Sequence, residues 1–425
     1  MNVLIIGSGG RECALSWKVA QSNKLNKLYI MPGNGGTIEY GENIDINTFD
    51  FDKVIDFIEA NKIDIVIVGP EDPLAYGIVD KIYDKIDSDD IIVIGPKSDG
   101  AKLESSKGFA KHFMKKYNIP TADFIYIDEN NKNEGIEFLR KYAPPYVIKA
   151  DGLAAGKGVV IHNTLDEAIN EINEYLKGKF GDASRRIVLE QYLSGIEVSV
   201  FILTDGDSYL LLPEAKDYKR IGENDTGLNT GGMGSVSPVP FVNKTFMQKV
   251  EERIIRPTIF GLKNEGIDYK GFIFFGLMNC NGDPYVIEYN VRLGDPETEV
   301  IMPRIKSDLI DIFVATKNKK LHEFNLEIDE RNVATVIIVS GGYPESYEKN
   351  KEIKNLNKVN DCIVFHSGTK IVNGGLYTAG GRVLAVTAYG NSLKEALDKC
   401  YKNASIIYFD KMYYRKDIGF DLLSY

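Results

Sequence analysis

Glu288, Asn290 and Arg292 alternate with apolar and aromatic residues in the stretch Tyr285-Val-Ile-Glu-Tyr-Asn-Val-Arg-Leu-Gly-Asp-Pro-Glu297. The alternation predicts a strand, on which residues two apart share a face at a spacing of about 7 Å. A carboxylate and an amide oxygen suit a hard cation such as Mg²⁺, and a neighbouring guanidinium suits a phosphate. Taken alone, the pattern equally fits an antiparallel strand with one solvated face. A second stretch, Tyr146-Val-Ile-Lys-Ala-Asp-Gly-Leu-Ala-Ala-Gly-Lys-Gly-Val-Val160, moves the balance toward chemistry. It places Lys149 on an apolar strand, then Gly152, Gly156, Lys157 and Gly158 in a loop, then a second apolar strand. Glycines let backbone N–H groups approach phosphate oxygens, and lysines add point charges. A Walker A loop needs four residues between its first Gly and its Gly-Lys and then Ser or Thr; here three intervene and Gly158 follows. The reading is a hairpin able to fold over a triphosphate. A third stretch, Ile187 to Val200, breaks at Tyr192-Leu193 between Glu190 and Glu197. An extended linker can pair with an adenine edge, and the two carboxylates can accept from an amino group and from ribose hydroxyls.

These residues need elements to hold them. Val3–Ile6, Lys27–Ile30, Ile65–Val68 and Ile91–Ile94 read as parallel strands, with helices at Glu12–Ser22 and Phe51–Asn61 between them. That is a doubly wound α/β domain, with ligands expected at the carboxyl ends of its strands. Gly7-x-Gly9 opens the first helix, but Glu12 stands at the third glycine position of a dinucleotide fingerprint. The second strand ends in Met31-Pro32, with no acid for an NAD ribose, so dinucleotide binding is excluded. A smaller phosphate on that helix N-terminus stays open. After Pro120, strands enclose the Lys149 hairpin up to about Leu193. Strands follow at Glu197–Leu203, Tyr209–Leu212 and Gly271–Met278, before the one carrying Glu288. Gly227–Gly234 is too glycine-rich for a regular element and reads as a flexible connection. A last region opens at Val333, with strands at Thr335–Val339 and Val383–Thr387.

The chain has 425 residues, a formal net charge of −10, four cysteines and four histidines. Its length calls for more than one core. The acidic balance and the lack of a basic run argue against nucleic-acid binding, and leave phosphate recognition to local Lys, Arg and N–H groups. The cysteines are dispersed with no C-x-x-C pair, so neither a disulfide framework nor a zinc site is expected. His366 reads as structural. No apolar run approaches the roughly 18 residues of a membrane span, and the chain opens directly on a strand, so no membrane partner, no signal peptide and a cytoplasmic location are expected. Nothing requires an oligomer, and a monomer is expected.

Taken together and in this order, the three stretches resemble the ATP-grasp superfamily and, within it, the glycinamide ribonucleotide synthetase family. Val3 to Glu12, Pro32-Gly-Asn-Gly-Gly-Thr37, Gly69-Pro-Glu-Asp-Pro-Leu74, Leu103-Glu-Ser-Ser-Lys107, Asn229-Thr-Gly-Gly-Met-Gly234 and Gly380-Gly-Arg-Val383 extend the likeness along the whole chain. The resemblance implies an α/β and α+β multidomain fold. An N-terminal doubly wound parallel-sheet domain (1–120) precedes a two-lobed ATP-grasp fold, with a lid at 121–194 and a catalytic part at 195–325. A small C-terminal β-rich domain (326–425) completes it. It also implies ligation of glycine to 5-phosphoribosylamine with ATP, by way of a glycyl phosphate, aided by Mg²⁺ or Mn²⁺. Lys107, Lys149 and the Gly152–Gly158 loop would then hold the ATP phosphates, with Glu190, Tyr192, Leu193 and Glu197 around the nucleoside. Glu288 and Asn290 would hold the metal, and Arg292 would stabilise the transferring phosphoryl. Gly9, Gly10, Arg11, Asn34, Gly35, Gly36, Glu71 and Asp72 would receive the ribose phosphate. From spacing alone, Asn34-Gly35-Gly36 reads more readily as a plain turn than as a binding site. Asp217 and Arg292 would engage glycine or order the Asn229–Gly234 loop, and Gly294-Asp295 would border the substrate, although Asp295 could equally cap a helix.

Several positions depart from the family pattern. Cys13 and Tyr218 stand where His is usual, Lys216 and Glu299 where Gln is usual, and Leu277 where many ATP-grasp chains carry a first acidic metal ligand. The departures bear on substrate affinity, its pH dependence and the strength of metal binding. Two other readings stay open: an ATP-grasp ligase for another carboxylate, and a nucleotide sensor without turnover.

Overall fold

Runs of β-branched residues closed by turns form the first sheet. Its elements are β1 (Asn2–Gly7), α1 (Gly10–Val19), β2 (Lys27–Pro32), β3 (Glu42–Asn43), α2 (Phe51–Ala60), β4 (Ile65–Val68), α3 (Glu71–Ala75), α4 (Ile78–Lys85) and β5 (Ile92–Ile94). The strands pair in parallel in the order β3-β2-β1-β4-β5. Val3–Ile6 and Ile65–Val68 are buried along their length, as strands covered on both faces must be. The strand order reverses beside β1, so the loops after β1 and β4 share one crevice. The first helix begins two residues before the expected Glu12. Glu12 takes the third helical position, where its Oε2 accepts the Gly9 N–H at 2.6 Å and closes the helix start from within.

The structure is a computed structural model that describes residues 1–152, 158–179, 181 and 185–423. Gly156 and Lys157 of the glycine loop lie outside the described residues. After α5 (Ser98–Ser105) and α6 (Lys107–Lys116), a second sheet forms from β6 (Phe124–Ile127), β7 (Tyr146–Ala150), β8 (Val159–His162) and β9 (Ile187–Gln191), with α7 (Lys132–Leu139) and α8 (Leu165–Leu176) between them. It is antiparallel, in the order β6-β9-β7-β8. Ile127, Ile148, Ile172, Tyr175, Ile187 and Leu189 give it a core of its own.

The third sheet, β11-β10-β16-β17, joins β10 (Ile196–Thr204), β11 (Tyr209–Leu211), β16 (Gly271–Cys280) and β17 (Asp283–Asn290). Between them run β12 (Lys216–Asp217), β13 (Arg220–Gly222), β14 (Thr226–Asn229), β15 (Gly234–Ser237), α9 (Lys244–Val250) and α10 (Arg256–Asn264). The expected flexible connection over Gly227–Gly234 is ordered instead. Thr226–Asn229 pairs with β13, Thr230 Oγ1 donates to the Lys219 carbonyl at 2.8 Å, and Gly234 opens β15. The glycines are used for shape here: Gly227 and Gly232 take positive φ (80° and 117°), which a side chain would strain. After α11 (Thr298–Arg304) and α12 (Leu309–Lys317), the last sheet, β12-β15-β18-β22-β19, combines β18 (Asn332–Ser340), β19 (Ile363–His366) and β22 (Arg382–Gly390) with β12 and β15. Asp217 is thereby fixed on a sheet shared with the C-terminal region. The hairpin β20 (Thr369–Val372) and β21 (Gly375–Thr378), then α13 (Leu393–Ala404) and β23 (Met412–Tyr413), complete the chain.

Candidate active site

Lys149 lies on β7 opposite Val159, with Gly158 closing the hairpin through its carbonyl to the Ala150 N–H at 2.7 Å. Its Nζ donates to the Ile287 carbonyl at 3.3 Å. That carbonyl is available because β17 bulges there: Gly276 faces Glu288 while Leu277 faces Val286, leaving Ile287 between ladder pairs. The bulge therefore ties the second sheet to the strand bearing Glu288. Lys149 also lies 3.0 Å from Glu190 Oε1, and Lys111 3.1 Å from Glu190 Oε2, with all three side chains at least nine-tenths buried. The sequence points Glu190 at a nucleoside; the structure holds it between two lysines. Burial favours its neutral form, yet Lys149 and Lys111 outweigh that and keep its carboxyl below the ordinary range. Burial pushes the Lys111 ammonium down to about 8, against the pull of Glu190.

Lys107 begins α6, and its N–H donates to the Asp151 carbonyl at 3.1 Å. The Asp151 carboxylate accepts from Gly108 N (2.7 Å), Ser106 Oγ (3.2 Å) and Tyr126 OH (2.7 Å). One residue thus fixes the start of α6 against the end of β7 and brings two lysines to one place. Burial lowers the Lys107 ammonium, opposed by Glu288 and reinforced by Lys149. Gly152 continues from this anchor. Residues 192–195, between β9 and β10, form an irregular linker with Tyr192 exposed and Leu193 half-buried.

Glu288 and Asn290 alternate on β17 as the sequence predicts, and among the described residues no ion pair or side-chain hydrogen bond engages either group. Two free hard oxygen donors on one strand face fit a divalent cation. Arg292, just past the strand, is held from two sides. Its Nη2 donates to Glu104 Oε1 at 2.8 Å and its Nε to Glu71 Oε2 at 3.2 Å. Glu104 also accepts the Val291 N–H at 2.8 Å. Burial pushes the Glu104 carboxyl up to about 7 despite Arg292, whereas at Glu71 burial is outweighed by Arg292 and Arg11, which hold it down at about 2. Beside this group, Asp217 is buried 4.0 Å from Lys219, and Lys219 pairs with Glu197 at 2.6 Å. Glu297 accepts from Ser199 Oγ at 3.0 Å, and burial and Asp217 push its carboxyl up to about 7. Asp217 is raised by burial, against Lys219.

The N-terminal crevice supplies the remaining side. The α1 start presents Gly9, Gly10 and Arg11, while the Arg11 guanidinium is tied to Glu12 (2.6 Å) and the Leu293 carbonyl (3.1 Å). Asn34 is an internal brace rather than a free contact. Its Nδ2 donates to the Ser8 (2.9 Å) and His366 (2.8 Å) carbonyls, and its Oδ1 accepts from Gly36 N and Thr37 N. Gly35 donates to the Thr369 carbonyl, which fastens this turn to the C-terminal hairpin. Glu71 and Asp72 start α3 across the crevice. Asp295, after Gly294, does not cap α11: its Oδ1 meets Arg382 at 3.0 Å and its Oδ2 accepts the Arg11 N–H at 3.4 Å. His366 is buried against Thr369 with its imidazole pushed down to about 4 by burial, a structural residue as expected.

Three family descriptions cover the chain. The phosphoribosylglycinamide synthetase N domain matches residues 1–104, the ATP-grasp (A) domain 105–298 and the C domain 333–421. The chain belongs to the phosphoribosylglycinamide synthetase family. A relative from Chlorobaculum tepidum, named phosphoribosylamine–glycine ligase, is 46% identical over 99% of both chains. One of the same name from Escherichia coli O157:H7 is 44% identical over 99% of this chain and 98% of its own. The crystal structure of phosphoribosylamine–glycine ligase from Thermotoga maritima superposes with a TM-score of 0.83 at 35% identity, over 98% of this chain and 100% of that one. The fold is accordingly that of the synthetase family: an N-terminal parallel-sheet domain, a central ATP-grasp domain and a C-terminal domain.

Within this synthetase fold, sequence reasoning singles out Lys107, Lys149, Asp217, Glu288, Asn290 and Arg292, and the structure draws them together from four elements and the segment after β17. It passes over Lys111, Glu104, Lys219, Glu297 and Arg382. Glu104 and Arg382 lie inside matched segments, so their signal was present as part of a motif. Lys111, on α6, and Lys219 sit in ordinary polar sequence and carry no local signal.

Proposed function

We propose that this chain is an ATP-dependent ligase that joins glycine to 5-phosphoribosylamine, giving glycinamide ribonucleotide, ADP and phosphate, a step of purine biosynthesis. The observation that carries the reading is full-length likeness to phosphoribosylamine–glycine ligases, together with Lys149, Glu288, Asn290 and Arg292 present in one cleft. A carboxylate is a poor electrophile, so glycine is first activated as glycyl phosphate, and such a transfer needs positioning and charge neutralisation rather than a protein nucleophile. Lys107 and Lys149 hold the ATP phosphates. Tyr192 and Leu193 run along the base, and Glu197 turns from Lys219 to the ribose. Arg292, held by Glu104 and Glu71, faces the transferring phosphoryl. Asp217 and Lys219 engage glycine, with Asp217 binding the amino group.

The amine of phosphoribosylamine then attacks the activated carbonyl. Its phosphate lies against the α1 start and the Asn34–Gly36 turn, and proximity contributes on the order of 7–11 kcal/mol when the groups are aligned. Glu288 and Asn290 would hold Mg²⁺ or Mn²⁺, which supplies charge neutralisation between the terminal phosphates. Among the described residues no group of three or more His, Cys, Asp or Glu side chains could hold a metal, so Glu288 and Asn290 are the donors this chain would offer to it. We divide the chain into a substrate domain (1–120), a lid (121–194), a catalytic part (195–325) and a C-terminal part (326–425). No helix among the described residues is long and apolar enough to cross a membrane.

The test is ADP release from Mg-ATP and freshly generated phosphoribosylamine, with and without glycine. Release that requires both substrates, with a product of glycinamide ribonucleotide mass, is expected. Release that ignores glycine assigns another carboxylate, and ATP binding without turnover assigns a sensor.

A further inference from the structure

Glu299 lies in the first turn of α11, is 1% exposed, and has no part in the chemistry above. A Cβ on Gly10 would come within 2.2 Å of its Oε1, so α1 and α11 meet as closely as a glycine allows. Its Oε2 is sealed from solvent with no hydrogen-bonding partner among the described residues. The titratable groups facing it are Asp295 and Glu297 from the segment before α11, Cys13 from α1 and Arg382 from β22. Arg382 is the one cation among them, and it is already engaged. It meets Asp295 Oδ1 at 3.0 Å, the Asp295 carbonyl at 2.8 Å and the Gly231 carbonyl. An ionised Glu299 would therefore be a buried, unpaired charge beside a second carboxylate.

We propose that Glu299 is a proton-carrying positioning residue: uncharged, it leaves Asp295 alone to anchor Arg382 and the Arg11 amide, and it keeps the crevice at Gly9–Arg11 able to accept the anionic sugar phosphate. This rests on the reading that phosphoribosylamine occupies that crevice. Burial and Asp295 push the Glu299 carboxyl well above the carboxylate range, with Arg382 acting against them. Loss of the proton at alkaline pH sets two carboxylates, Asp295 and Glu299, against each other beside the start of α1, where the phosphate would sit. The Arg292 and Lys149 clusters lie on other elements and Asp217 lies one carboxylate further on, beyond Glu297, so ATP and glycine recognition are expected to stay outside its effect.

The variant is Glu299→Gln, which has the shape and charge of the protonated side chain at every pH. KM for phosphoribosylamine, ATP and glycine is measured from pH 6.5 to 9 in both proteins, and the ratio of wild type to variant removes the titration of the substrates themselves. The ratio for phosphoribosylamine is expected to climb with pH, by up to about tenfold per unit once Glu299 ionises, while the ratios for ATP and glycine stay flat. A flat phosphoribosylamine ratio, or an equal climb for all three substrates, overturns the proposal. Thermal midpoints of the free proteins over the same range read the proton without any substrate. Wild type should lose stability relative to Glu299→Gln as pH rises, and a pH-independent difference, or a variant that cannot fold, overturns the proposal equally. If no glycinamide ribonucleotide forms with either protein, the ligase reading fails by itself and the thermal series still decides whether Glu299 carries the proton.

Discussion

Replacing Arg292 by Ala removes the one cation that touches both Glu71 and Glu104 (3.2 and 2.8 Å), and the consequences can be worked out for stability as well as catalysis. Glu71 sits at about 2 in the folded protein, against roughly 4.3 unfolded, a difference worth about 3 kcal/mol of stability at neutral pH. Its side chain is 31% exposed, so solvent screening brings that to ~1–2 kcal/mol. Glu104 is 8% exposed, and losing its partner leaves a buried carboxylate that must take up a proton or stay uncompensated, which raises the total to ~3–5 kcal/mol. The two carboxylates have opposite pH signatures. The stability from Glu71 is present above its unfolded value and is lost as pH falls toward about 2. Glu104, raised to about 7, costs stability as pH climbs from the ordinary carboxylate range through 7, and without Arg292 that cost extends to higher pH. Wild type and Arg292→Ala should therefore differ most near pH 8, narrow toward pH 5 to the Glu71 share, and converge only toward about pH 2, measured by urea unfolding followed by Trp17 and tyrosine fluorescence. Adding Glu104→Gln to the variant should recover more than half of the loss at pH 8. Turnover of Arg292→Ala should fall by about two to three orders of magnitude, the scale of losing one charge-stabilising donor, while ATP affinity falls little. A difference under about 1 kcal/mol at pH 8, or one that does not change with pH, refutes the charge argument; unchanged turnover removes Arg292 from the chemistry.

Four further outcomes test the rest of the site. Glu190→Gln strips the shared counter-charge from Lys111 and Lys149, so it should lower stability by ~3–5 kcal/mol in the same unfolding assay, with part recovered by adding Lys111→Met; a loss below about 1 kcal/mol would count against a buried triad. Metal titrated into the free wild-type protein by calorimetry should show no micromolar affinity, since one carboxylate and one amide are the available donors. Glu288→Gln should raise the metal concentration for half-maximal activity about tenfold or more, some 1.4 kcal/mol of binding, and an unchanged activation curve would move the metal elsewhere. Asp217→Asn should raise KM for glycine at least about tenfold, again roughly 1.4 kcal/mol, with KM for ATP nearly unchanged; equal changes in both would take Asp217 out of glycine binding.

Much of the scaffold was legible because its signals are local. The parallel strands of the first sheet are short β-branched runs closed by Gly or Pro, and the observed limits of β1, β2, β4 and β5 agree with the expected ones to within about two residues, the usual uncertainty of strand and helix ends. The Glu288–Asn290 alternation and the Lys149 hairpin were legible for the same reason, being set by period two and by glycine. Thr226–Asn229 was misjudged because its order comes from β13 and from Thr230, whereas composition records only the glycines. The turn at Asn34 was legible too, but its amide donates to the Ser8 and His366 carbonyls, and His366 is too distant in sequence for local pattern to reveal.

What local pattern could not supply is the charge balance of the cleft, and that balance governs how the chain must fold. Lys149 needs Glu190, Glu190 needs Lys111, Arg292 needs Glu104 and Glu71, and Asp295 needs Arg382, yet the partners come from different elements and most are largely buried. None of these charges is tolerable in a low-dielectric interior without its partner, so Arg292 and Asp295 stay uncompensated until the elements bearing Glu71, Glu104 and Arg382 dock against them. Lys149, on the second sheet, donates to Ile287 on the third. Arg292, just past the third sheet, pairs with Glu71 of the first. Arg382, on the last sheet, reaches Asp295 between them. The residues proposed to meet the phosphates and substrates are thus the same ones that make separated domains electrostatically unfavourable. A ligand that adds phosphate charge beside Lys107 and Lys149 therefore changes the terms on which the second sheet packs against the third. By that argument ATP should protect β7 and β17 together from hydrogen exchange, and protection confined to one of the two strands would separate nucleotide binding from domain docking.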